Sequence, residues 1–108
     1  MLKDNQLREL LSFQSEHPVL SVYLNTDPAE GSADGYKLRL RSMLKNLALP
    51  ADIEAIESYV EHTFDWTGRS LAMFSCAPEQ FFRAFPLAIP MRDRVRTLQH
   101  PYVKPLAD

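Results

Sequence analysis

Apolar and polar positions divide the chain into alternating helical and extended stretches. Across residues 4–16, Leu7, Leu10, Leu11 and Gln14 recur at helical spacing with charges between them. The pattern predicts an amphipathic helix with Asp4 as its N-cap, ended before Pro18. Residues 19–24 (VLSVYL) are β-branched or aromatic and apolar on both faces, which predicts a buried central strand. Residues 25–35 combine Asp-Pro with Gly31 and Gly35 and read as a loop. Asp34 then caps a second predicted helix, along which Tyr36, Leu40, Met43, Leu44 and Leu47 form one stripe. A third helix opens at Pro50, with Ile53, Ile56, Val60 and Phe64 on one face and Glu54, Glu57 and Glu61 on the other. After a break at residues 65–68, residues 70–76 are again apolar on both faces and predict a second strand. Residues 77–80 are a turn into a third strand at 81–87, which Pro86 confines to a sheet edge or ends early. Residues 94–99 alternate weakly and predict a polar fourth strand.

The order α-β-α-α-β-β-(β) predicts a small α/β (α+β) domain, a mixed sheet of three to four strands with two to three helices. Two helices between the first two strands suggest a crossover that leaves those strands parallel and adjacent. Leu7, Leu10 and Leu11 on one helix, and Leu40, Leu44 and Leu47 on another, are expected to cover the sheet. A length of 108 residues allows one core, and 45% hydrophobic with 24% charged residues excludes a wholly disordered chain. Residues 1–100 are therefore read as a single N-terminal domain. Residues 101–108 hold two prolines, which argue against a helix interior or a central strand, yet also Tyr102, Val103 and Leu106. They are expected to begin a linker to a second domain beyond this chain, the alternative being a tail folded back on its own sheet. A single cysteine, no apolar run near the roughly 20 residues of a membrane span, and no signal-like N-terminus predict a cytoplasmic protein without a membrane partner.

Charge is distributed in blocks. Residues 1–35 are net −4, 36–49 net +4, 50–68 net −5 and 83–104 net +4, within a total of −2. Global attraction to nucleic acid is weak at that total, so binding would need a local patch. Lys37, Arg41 and Lys45 stand at i, i+4 and i+8 and form such a ridge, able to track phosphates or to pair with the acidic helix that follows. The usual catalytic patterns are missing. Cys76 ends an apolar strand without a glycine-rich oxyanion turn and reads as a small buried residue. His17 and His100 each precede a proline and read as turn residues, while His62 lies among glutamates on a helix. No Cys-x-x-Cys, His-x-x-x-His or EF-hand spacing occurs, and the acidic loop at 25–35 lacks a Gly-Lys-Ser/Thr ending. Neither a metal, a cofactor nor a catalytic residue is expected.

Several short words occur in a familiar order: Val19-Leu20-Ser21-Val22-Tyr23-Leu24, Gly35-Tyr36-Lys37, Gly68-Arg69-Ser70-Leu71-Ala72-Met73-Phe74-Ser75, Phe81-Phe82-Arg83-Ala84-Phe85-Pro86-Leu87 and His100-Pro101-Tyr102-Val103-Lys104-Pro105-Leu106. Together they resemble the N-terminal domain of bacterial relatives of the archaeal and eukaryotic class-1 peptide-chain release factors. The resemblance implies an α/β module that reaches the ribosome. It brings no catalytic residue, because the Gly-Gly-Gln of peptide release is not in this chain. Of the codon-reading Asn-Ile-Lys-Ser motif only the lysine has a counterpart, Lys37. The expected function is thus a non-catalytic, translation-associated domain that contacts the ribosome or structured RNA through Tyr36, Lys37, Arg41 and Lys45. The alternative is a protein-interaction or regulatory scaffold offering Glu54, Glu57 and Glu61 to a basic partner. A stand-alone Cys-dependent hydrolase is the third reading. The other partner implied is the remainder of a longer chain, its C-terminal domains.

Overall fold

The computed structural model describes residues 2–107. Its elements run α1 (Asp4–Ser12), β1 (Val19–Asn25), α2 (Ala33–Leu44), α3 (Pro50–His62), β2 (Ser70–Cys76), β3 (Phe81–Leu87), β4 (Arg94–Leu98) and α4 (Lys104–Ala107). The strands form one sheet in the order β3-β2-β1-β4. β1 and β2, the two runs apolar on both faces, are its centre and are buried throughout except at Asn25. Pro86 lies on the edge strand β3, where its missing N–H costs no ladder bond to a further strand.

The expected parallel pairing of β1 and β2 is corrected. All three pairings are antiparallel, with Asn25 at the end of β1 opposite Ser70 at the start of β2. The reason is one of parity. A single helix between adjacent strands reverses the chain once and leaves them parallel, whereas α2 and α3 reverse it twice. The chain thus re-enters the sheet at the end where β1 left it, and the sheet is antiparallel rather than mixed.

Strand alternation sends side chains into two apolar layers. Leu20, Val22, Leu24, Leu71 and Met73 meet Tyr36, Leu40 and Leu44 of α2 and Ile56 and Val60 of α3 on one face. Val19, Tyr23, Ala72, Phe74, Cys76, Phe81, Phe85 and Leu87 fill the other face, covered by Leu10, Phe13, Tyr102, Val103 and Leu106. Phe13 stacks on Phe81 with ring centroids 4.0 Å apart. Leu11 does not share in this cover. It is 59% exposed, because α1 has nine residues and buries only Leu10 fully.

Helix boundaries differ from expectation by a few residues. α1 ends at Ser12, and Lys3 rather than Asp4 is its N-cap, the Lys3 backbone N–H donating to Gln6 Oε1 at 3.0 Å. Ser32 rather than Asp34 caps α2, its hydroxyl accepting from the Gly35 N–H at 3.4 Å. Leu47 lies beyond the end of α2 yet still packs on the core. Gly68 sits at φ +79, and a Cβ there would come within 2.7 Å of the Leu87 carbonyl oxygen, which binds the Arg69 N–H at 2.8 Å. Only glycine suits both the dihedral and that approach.

The segment after β4 lies against β1. The Tyr102 N–H donates to Ser21 Oγ at 2.9 Å and the Tyr23 hydroxyl to the Tyr102 carbonyl at 2.5 Å, with the two rings edge to face. Residues 101–106 therefore pack on their own sheet. Lys104–Ala107 is a single helical turn with Pro105 at its second position, where a helix needs no donor, so no proline stands in a helix interior.

Candidate functional site

α2 carries Tyr36, Lys37 and Arg41 of the expected footprint, while Lys45 stands just beyond its end as the C-cap residue; the N-terminal half of the helix is firmly anchored. The Tyr36 hydroxyl donates to the Asp27 carbonyl. Its ring stacks against Trp66 at 6.1 Å, and the Arg39 guanidinium lies 4.9 Å from the ring centroid. Tyr36 is 2% exposed. This corrects its expected place in the RNA-contacting footprint: the ring packs against Trp66 and Arg39 with almost no surface left to solvent, and the residue is a core anchor.

Two ion pairs brace the same end of the sheet. Arg39 donates from Nε to Asp93 Oδ2 at 2.6 Å and from Nη2 to Asp93 Oδ1 at 3.0 Å and to the Asn25 carbonyl at 2.9 Å. Asp93 also accepts from the Asn25 N–H at 2.8 Å, so one carboxylate ties α2, β1 and the approach to β4 together. The bond to Asp93 raises the Arg39 pKa further. In the loop before α2, Asp27 accepts from the Ala29 N–H at 3.1 Å and from both Nε and Nη2 of Arg69, at 3.2 and 3.0 Å. The Ala29 N–H and the Arg69 guanidinium hold its carboxyl below the usual carboxylate range against the opposing effect of burial. The acidic loop before α2 is thus pinned through its central acid.

The three cations differ in circumstance. Lys37 is half-buried, with Nζ 3.3 Å from Glu61 of α3 and 6.0 Å from the Trp66 ring centroid. Arg41 and Lys45 are exposed, and among the described residues neither has an acid within ion-pair distance. α2 and α3 run antiparallel, bringing Lys37 at the start of one beside Glu61 at the end of the other. Between them lies an open groove of about 740 Å³. Lys37 and Arg41 line one wall, Glu54, Glu57 and Glu61 the other, with Leu40, Leu47, Ile53 and Val60 among its lining. Lys37 and Arg41 of the basic ridge thus face the acidic ridge across one cleft, and of the two it is Lys37 that makes the pairing with the acidic helix that the sequence allowed.

Residues considered for chemistry are placed as follows. Cys76 is fully buried, its thiol 3.6 Å from Ser15 Oγ and 3.9 Å from the His17 carbonyl. His17, His62 and His100 are exposed, and His100 Nδ1 lies 3.0 Å from the Pro101 carbonyl. Among the described residues no three His, Cys, Asp or Glu side chains converge in a way that could hold a metal. Asp52, on α3, is buried and accepts from Ser75 Oγ at 2.6 Å and the Ala77 N–H at 2.8 Å, so it fastens α3 to the end of β2. No helix is long and apolar enough to cross a membrane among the described residues. Comparison with protein-family models and with curated proteins returned no match for this chain.

Sequence reasoning did not find the Arg39–Asp93 clamp, the Asp27–Arg69 pair or the Asp52 tether. The Asn25-Thr26-Asp27-Pro28 turn was a local signal that Asp27 bonds its own backbone. The other partners are separated by 23 to 54 residues and leave no local trace.

Proposed function

We propose that this chain is a non-catalytic domain that contacts the ribosome or structured RNA, within a translation-associated protein of release-factor type. One observation carries the reading: Arg41 on α2 and Lys45 at its C-cap stand exposed and unpaired among the described residues, on a helix whose N-terminal half is held by Tyr36 and Arg39. A preformed cationic helix face loses little conformational freedom when it meets phosphate. Lys37 joins it by exchanging Glu61 for a phosphate, since a partly exposed pair of this kind holds by only about 1 kcal/mol or less. The order of sequence words that resembles release-factor N-terminal domains supports the same reading.

Cosedimentation with ribosomes tests it. The parent protein is expected to pellet with ribosomes at low salt and to release as salt rises. Arg41→Glu with Lys45→Glu should cut the bound fraction at least about tenfold, with circular dichroism unchanged. Equal pelleting of variant and parent would remove α2 as the footprint.

A second reading, a protein-interaction or regulatory domain, is favoured by the acidic wall of the groove, where Glu54 and Glu57 have no cation within ion-pair distance among the described residues. That reading expects affinity capture to recover a basic protein that survives nuclease treatment. The RNA reading expects recovery to vanish with the RNA.

A further inference from the structure

β4 is the outer strand on the side of β1, and it is the most cationic strand of the sheet. Its register places Arg94 opposite Tyr23 and Arg96 opposite Ser21, so both arginines rise on the sheet face away from α2 and α3. Alternate residues of a strand lie about 6.7 Å apart. That step is comparable to the rise between successive phosphates of an extended single strand.

Arg96 is exposed and already held in place. Its guanidinium lies 5.2 Å from the Tyr102 ring centroid and gives one Nη1 hydrogen bond to the Val95 carbonyl at 2.9 Å. The remaining N–H groups are left for a ligand, and a stacked planar fork is suited to phosphate. The one acid in this stretch, Asp93, is held in the clamp with Arg39. Among the described residues no acid lies within ion-pair distance of Arg92, Arg94 or Arg96. Edge strands often carry charge simply to discourage pairing with other strands, but a flexible lysine would serve that purpose. A guanidinium stacked and oriented is more than that purpose requires.

We propose that β4 is a second RNA-contact surface, on which Arg94 and Arg96 bind successive phosphates of a single-stranded segment. The inference rests on the RNA-contacting reading above, but uses a different face of the molecule.

The test is fluorescence anisotropy with a labelled twelve-nucleotide oligouridylate, titrated between about 50 and about 200 mM salt. Arg94→Gln with Arg96→Gln should weaken binding at least about tenfold and reduce the salt slope by about 1.4, two phosphate contacts at roughly 0.7 each. Arg96→Lys should keep the slope while losing affinity severalfold. A thermal melt checks folding, and Arg94→Gln alone, away from the Tyr102 stack, serves if the double variant is unstable. No binding by the parent, an unchanged slope in the double variant, or equal displacement by polyglutamate of matched charge would each overturn the proposal. The α2 variant separates the two readings. Loss of binding with Arg41→Glu/Lys45→Glu and none with the β4 variant removes β4 and keeps α2, and the converse removes α2 and keeps β4.

Discussion

Asp27 joins a loop to the chemistry of pH. Its carboxylate is held by the Ala29 N–H and by Arg69, and both lower its pKa in the folded protein. An acid with a depressed folded pKa adds stability above its unfolded value of about 3.9 and loses that contribution as pH falls through the folded value. Urea unfolding should therefore show stability nearly flat above about pH 5 and falling steadily below about pH 4. Asp27→Asn is expected to be less stable at neutral pH and to show a shallower acid decline. Identical acid slopes for variant and parent would mean that Asp27 is not the group responsible. Leu44 is the counterpart in the core. It is fully buried between α2 and the sheet, so Leu44→Ala should cost about 2–5 kcal/mol in equilibrium unfolding. A cost below about 0.5 kcal/mol would belong to a surface position.

At the scale of elements, strands were the most legible part of the sequence. The runs at 70–76 and 81–87 are strands β2 and β3 to the residue, and β1 and β4 differ from expectation by one residue each. Apolar content on both faces marked β1 and β2 as central, and Pro86 marked β3 as an edge. Strand direction was less legible, because it depends on how many helices intervene and not on any residue within the strands. The candidate site was legible only in part. The spacing of Lys37 and Arg41 along one helix, with Lys45 at its C-cap, follows directly from periodicity, but their neighbours do not. Tyr36 shows why an element outweighs a residue type. It shares the stripe of Leu40 and Leu44, so the helical period assigns it to the core whatever its aromatic ring could do in solvent. Glu61 reaches Lys37 because α3 returns antiparallel, which is a property of the pair of helices.

The whole molecule is a sheet covered unequally. One face has two full helices, while the other has a nine-residue helix and the segment after β4. Tyr102, Val103 and Leu106 therefore supply part of the cover over the layer that holds Tyr23 and Phe74. At about 1.5–3 kcal/mol for each large apolar side chain fully buried, and less for these half-buried ones, removing the segment takes away several kcal/mol of a typical reserve of 5–15. A chain ending at Gln99 should melt well below the parent, or be recovered only as aggregate. Equal melting of the two would show that the second apolar layer holds without its C-terminal cover.

Cys76 gives this molecule a clock. It is the only thiol, it is fully buried at the end of a central strand, and it faces the layer sealed by α1 and the C-terminal segment. A thiol reagent can meet it only when that seal lifts, so the rate of its modification counts openings of one side of the sheet while the protein remains folded for most of the time.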